Sequence, residues 1–156
     1  MIKIEIHATG KPNSRYIIEG VAQYKKWLST FSDVDIKYYP LKNYKNLSPE
    51  VIKEREADLY LKNISDNQDV FILHERGNEL TSIEFNKRIN SIINNSRNKI
   101  VFLVGGPYGF SQRILEKKWY KLALSKMTFT HEMCILFLLE QIYRSYTIDI
   151  GKKYHF

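Results

Sequence analysis

The residues with the chemical character to do work fall in three places along the 156-residue chain. The first is Gly105-Gly106-Pro107-Tyr108-Gly109, directly after an apolar run at 100–104. Glycines beyond the carboxyl end of a buried strand let backbone approach a ligand closely, and open α/β sheets bind their ligands there. The run matches neither phosphate-cradling signature. Pro107 breaks G-x-G-x-x-G and has no N–H to offer, and no Gly-Lys-Ser/Thr follows. A plain tight turn would use the same residues. The second place is Leu73-His74-Glu75-Arg76-Gly77, after another apolar run, which reads either as a solvated turn or as a neighbouring wall of a crevice. The third is Leu124-Ser125-Lys126-Met127-Thr128-Phe129-Thr130-His131-Glu132 and the residues after it. His131-Glu132 starts like a zinc-protease helix, but position 135 is Ile and the second histidine is missing, so no metal is expected. Glu140 and Arg144 stand four apart with the acid first, the favourable order for an ion pair on a helix. Tyr154-His155-Phe156 adds an imidazole and two aromatics, for which a frayed terminus is the plain reading.

Positioning these groups takes a sheet and helices. Ile2, Ile4, Ile6 and Ala8 recur with the period of a strand, whereas Ile17, Val21, Tyr24, Leu28 and Phe31 recur at helical spacing. Residues 34–39 predict a second strand. Ser48-Pro49-Glu50 predicts a helix start, with a capping hydroxyl, proline in the first turn and an early acid, running to about Asn63. The short apolar runs at 70–73 and 100–104 predict strands buried on both faces. Between them Thr81-Ser82-Ile83-Glu84 forms a capping box for a helix with Phe85, Ile89 and Ile92 inward. Ser111 predicts a short helix, Leu122-Ala123-Leu124 a strand, and Thr130 the cap of a last helix to about Tyr146. That last helix is apolar without a break over 133–139, so burial nearly all round is expected, part of it against a second subunit. Strand and helix alternating in this way predict one α/β domain over 1–156 with a mostly parallel sheet flanked by helices.

Composition narrows the class. Hydrophobic residues are 44% and charged residues 26%, so one packed core is expected. No run of about 18 apolar residues exists, and the alternating N-terminal residues lack the apolar block of a signal peptide, so the expectation is a cytoplasmic protein with no membrane partner. One cysteine, Cys134, cannot form an internal disulfide. The net charge of +7 is uneven, with +3 over 1–52, zero over 53–110 and +4 over 111–156. A basic excess at both ends, with eleven tyrosines, suits a nucleic-acid partner, since phosphates need cations and unstacked bases need aromatic faces.

Four motifs in order carry a resemblance. They are residues 102–111, Phe-Leu-Val-Gly-Gly-Pro-Tyr-Gly-Phe-Ser; residues 124–131, Leu-Ser-Lys-Met-Thr-Phe-Thr-His; residues 139–144, Leu-Glu-Gln-Ile-Tyr-Arg; and the closing Tyr154-His155. With Gly10-Lys11 and Glu75-x-Gly77, they resemble the RlmH family of the SPOUT superfamily over essentially the whole chain. The resemblance implies an α/β-knot homodimer whose C-terminal segment threads a loop as a trefoil knot. It implies an S-adenosylmethionine-dependent enzyme that methylates N3 of a pseudouridine in 23S rRNA on the ribosome. Residue by residue, it places the cofactor at Leu73, Gly105, Leu124, Ser125, Lys126, Met127, Thr128 and Phe129. It places Tyr154 and His155 of one subunit over the target base at the other's site, with His155 as proton acceptor or orienting group and Arg144 supplying positive charge.

The chain departs from the family pattern at Ile135, where an arginine is usual, and at His74, Thr130, Glu132 and Lys153. Loss of the arginine would remove a phosphate or cofactor-carboxylate contact. The rival expectation is therefore a degenerate paralogue that binds cofactor or RNA without efficient transfer. A flavodoxin-like nucleotide or phosphate binder fits the strand–helix alternation but not the C-terminal motifs.

Overall fold

The computed structural model describes residues 1–40 and 44–154. Five strands, β1 (Ile2–Thr9), β2 (Ser32–Tyr39), β3 (Asp69–Glu79), β4 (Lys99–Val104) and β5 (Tyr120–Ala123), form one sheet in the order β2-β1-β4-β3-β5. Every pairing in it is parallel. The helices are α1 (Arg15–Leu28), α2 (Pro49–Asn63), α3 (Ser82–Asn94), α4 (Gln112–Leu115) and α5 (His131–Asp149). The α/β architecture expected from the alternation is therefore the observed one. Among the described residues no helix is long and apolar enough to cross a membrane.

The local signals explain the boundaries. Ser48 accepts a hydrogen bond from the Val51 N–H at the start of α2, with Pro49 in its first turn. Thr81 and Glu84 form the reciprocal capping box that opens α3. Thr130 accepts from the Met133 N–H and starts α5. One side of the sheet is covered by α1, α3 and α5, with Ile4, Ile6, Ile100, Phe102, Leu138 and Leu139 among the fully buried residues there. The other side carries a smaller core under α2 and α4, built on Tyr60, Ile72, Leu103, Ile114 and Trp119.

Three elements differ from expectation. A period-2 strand normally leaves its polar side in water. β1, however, lies inside the sheet between β2 and β4, so Glu5, His7 and Thr9 are buried along with its apolar residues. β3 does not end at residue 73. It continues to Glu79 along β5, with a break in register between Leu73 and Asn78. The segment read as a turn, His74 to Gly77, is that irregularity, and Gly77 is required there because a Cβ would come within 2.7 Å of the Lys121 carbonyl. α5 is not buried all round. Ile135, Leu138, Leu139 and Ile142 face the chain's own core, whereas Phe137 remains 37% exposed.

Candidate functional site

A cavity of about 410 Å³ opens where the start of α3, the end of β5, the 124–129 segment and α5 meet. Its apolar wall includes Leu122, Leu124, Phe129 and Leu138, and its polar groups come from Thr81, Ser82 and Gln141. Phe129 meets Phe137 edge-on at 5.0 Å between ring centres, so one wall is aromatic. A small cavity of apolar surface with a few fixed polar groups suits a flat heterocycle with a polar edge, and the volume lies within the usual range for ligand sites.

The residues expected at the cofactor are distributed around this cavity. Leu124 and Phe129 line it. Ser125 shapes the intervening turn, its hydroxyl accepting from the Met127 N–H at 3.0 Å. Lys126 reaches Glu79 at 3.7 Å, and Met127 is 74% exposed, so these two side chains point away from an apolar pocket. Thr128 is also exposed. Leu73 and Gly105 do not line the cavity. Leu73 is buried where β3, before its break in register, pairs with Val104 at the end of β4 and with Leu122 of β5. Gly105 continues β4, and a Cβ there would meet the Phe110 ring at 3.1 Å. A side chain at 105 would therefore have to push the Phe110 ring aside by a few tenths of an ångström.

A second cluster forms where the tail folds back on α5. The Arg144 guanidinium donates to Glu140 Oε1, with Nε at 3.1 Å, and to the Tyr154 carbonyl at 3.3 Å. It also lies 5.0 Å from the centre of the Tyr154 ring. The Tyr154 hydroxyl lies 3.3 Å from Glu140 Oε1 and 3.2 Å from the Tyr24 hydroxyl. Burial, helped by Tyr24 and Glu140, pushes the Tyr154 phenol above its ordinary range, so it is a hydrogen-bond donor at neutrality. The spacing of Glu140 and Arg144 thus forms the expected ion pair, and it binds the tail as well. His155 lies outside the described residues. Arg144 and Tyr154 do not line the cavity, but a hydrogen-bonded chain leads toward it. Gln141 donates to Glu140 at 2.7 Å and accepts from the Ser82 hydroxyl at 2.8 Å on the cavity wall. Sequence reasoning missed Gln141 and Ser82, because the only signal at Ser82 was that of a helix start.

The departures from the family pattern are placed too. Ile135 is fully buried among the residues of the main core, so that position faces inward and not toward a phosphate. Glu132 keeps its negative charge, but its carboxylate is engaged within the chain. Its carboxylate accepts from the Ser14 hydroxyl and from the Asn13 N–H at 2.9 Å, which ties α5 to the start of α1 and holds its pKa below the usual carboxylate range.

Two buried glutamates were also missed. Glu5 stands in the alternating pattern of the first strand, and nothing in the sequence singles out Glu56. Only tertiary structure reveals that both are at most 3% exposed.

A family profile described as predicted SPOUT methyltransferase matches residues 2–155. The chain is 44% identical over 155 residues to the ribosomal RNA large subunit methyltransferase H of Kosmotoga olearia, covering 99% of this chain and 100% of that one. It is 41% identical to the protein of the same name from Clostridium tetani, with 99% of both chains covered. In fold it is similar to a Legionella pneumophila protein described as a methyltransferase and solved with the bound cofactor SAM. That similarity has a TM-score of 0.52 at 11% identity, over 93% of this chain and 66% of the other. A profile match along nearly the whole chain, with full-length relatives at this identity, assigns the family: the chain belongs to the SPOUT methyltransferases, among the ribosomal RNA large subunit methyltransferase H proteins.

Proposed function

We propose that this chain is an S-adenosylmethionine-dependent methyltransferase that acts in the cytoplasm on N3 of a pseudouridine in 23S rRNA. The observation that carries the reading is the cavity walled by Leu124 and Phe129, which lies on a segment of a chain homologous from end to end to named rRNA methyltransferases. When bound, S-adenosylmethionine supplies an electrophilic methyl group. Leu124 and Phe129 would grip its adenine, and the polar groups of the cavity rim and the backbone of 124–129 would fix its edge. The N3–H of a uracil-type ring is a weak acid. A nearby cation favours the N3 anion, and an imidazole titrating near neutrality can accept the proton. Arg144, fixed by Glu140, is the candidate cation, and Tyr154 and His155 are the candidate tail groups over the base. Positioning N3 against the methyl is the larger lever.

The proposal includes a homodimer and the family's knot. In such a dimer Arg144 and Tyr154, which do not line their own chain's cavity, would serve that of the second copy. Leu138 and Leu139 point into the chain's own core, so the surface offered to that copy runs along Phe137 and its half-buried neighbours. The rival reading of a degenerate paralogue loses its main support, because Ile135 faces the core and Glu132 is hydrogen-bonded within the chain.

The test is transfer of a labelled methyl group to ribosomes lacking this modification. The wild-type chain should transfer. Deleting 154–156 should leave S-adenosylmethionine affinity within a few fold and cut transfer at least about a hundredfold, the scale of losing an acid–base group. Transfer at the wild-type rate by the truncated chain removes the tail from the chemistry and makes His131 the next candidate. No transfer by the intact chain, with cofactor binding preserved, would establish the paralogue reading.

A further inference from the structure

A second cavity, of about 750 Å³, opens on the α2 side of the sheet, away from α5. It lies between α2, residues 44–46 and the turn at Pro107 and Tyr108. In its wall Glu56 is 3% exposed and its Oε1 has no hydrogen-bond partner. Thr9 is 1% exposed, and its Oγ1 has none either. The two converge on Gly106, where a Cβ would lie 2.7 Å from Glu56 Oε1 and 2.8 Å from Thr9 Oγ1. Buried polar atoms are nearly always paired, so the orphaned Glu56 oxygen at the cavity wall, with the orphaned Thr9 hydroxyl also beside Gly106, calls for a ligand. Tyr108 is 54% exposed at the rim, and Lys45 and Tyr44 complete it.

We propose that this cavity holds one unpaired nucleotide of the RNA substrate, with N–H donors of its base on the Glu56 carboxyl, its ring against Tyr108 and its phosphate toward Lys45. Guanine is the base that fits best, because its imino and amino N–H groups are adjacent and a carboxylate offers two acceptors. Aromatic faces stack any base, so discrimination falls to Glu56. Burial pushes that carboxyl up to about 7, with the Gly106 backbone opposing, so near neutrality its acceptor form is within reach of a ligand that favours it. The site is separate from the cavity walled by Leu124 and Phe129. It rests on the proposed function only for the source of the nucleotide.

Titration of the full chain with GMP, and separately with AMP, CMP and UMP, tests it by NMR shifts or calorimetry, with S-adenosylmethionine titrated in parallel. GMP should saturate with a dissociation constant of about 1 mM or tighter, and more tightly than the other three. Glu56→Gln and Tyr108→Ala should each weaken GMP about tenfold while S-adenosylmethionine affinity stays within a few fold. Tyr108 is on an exposed turn, so that variant tests the site even if the Glu56 variant fails to fold. No saturable GMP binding, or GMP binding unchanged in both variants, overturns the site. GMP binding without any S-adenosylmethionine binding would instead overturn the proposed function and leave this site standing.

Discussion

Glu5 and Glu56 are carboxyl groups buried on the same side of the sheet, and the fold treats them in opposite ways. Glu5 sits in β1 with Lys99 at 2.7 Å, Lys3 and His7 each at 3.2 Å and Lys37 at 3.5 Å. Burial alone would raise its pKa, but hydrogen bonds from Lys99, His7 and Lys3 outweigh it and hold the group at about 2. His7, whose own pKa burial lowers, is held between Glu5 and the Tyr39 hydroxyl, at 2.7 Å from the latter. Glu56 lies farther along the same side of the sheet and has no ion-pair partner among the described residues. The lesson is that burial does not by itself mark a working acid. A buried carboxylate ringed by cations serves the fold, and one left unpaired at a cavity wall is available to something else.

Breaking the satisfied site should have the largest effect. Glu5→Ala leaves three lysines and a buried imidazole without their acceptor and should cost about 4 kcal/mol in denaturant unfolding. A loss below about 1 kcal/mol would mean that water satisfies those groups, and the contrast with Glu56 would vanish.

The two sites should also separate by pH. Glu56 is raised from 4.5 to about 7 in the folded state, so its contribution to stability is complete below pH 4.5 and is lost as pH rises to about 7. Glu5 is lowered from 4.5 to about 2, so its contribution is complete above pH 4.5 and is lost as pH falls toward 2. Glu56→Gln should therefore flatten the stability profile between pH 4.5 and 7 by about 3 kcal/mol and leave the acid limb below 4.5 unchanged. An unchanged slope in the upper window would show that Glu56 ionises like a surface acid.

A third carboxylate supplies the low end of the scale. Glu132 is satisfied by the Ser14 hydroxyl and the Asn13 N–H at the surface, without cations or burial. Glu132→Ala should cost the least of the three, because solvent can replace the acceptor that its two donors lose. A much larger loss in thermal melts would indicate that the junction of α1 and α5 carries more of the stability than its contacts suggest.

These contrasts also show what the residues alone could reveal. Helix starts at Ser48, Thr81 and Thr130 were legible because caps are local chemistry. The apolar strands were legible because runs at 70–73 and 100–104 have no other use. The continuation of β3 to Glu79 was not legible, since only pairing with β5 stabilises so polar a stretch as His74 to Glu79. Of the candidate site, Leu124 and Phe129 were found through the motif they belong to, and Glu140 and Arg144 through their spacing. Gln141, Ser82 and Glu56 were invisible, because each gains its meaning from a partner or a cavity brought together only by the fold.

The strand order bears on how the chain acquires its structure. β1 pairs with β2 early in the sequence, but its other edge waits for β4, since Lys3 is opposite Lys99. At roughly 5–20 residues per second, a nascent chain must hold that edge open for several seconds. Parallel pairing at long sequence separation is slow and leaves backbone unpaired in the meantime. β5 is the last strand in the sequence, and the 410 Å³ cavity needs both it and the later α5 for its walls. The cavity is therefore assembled entirely from the C-terminal half of the chain, Leu80 to Gln141.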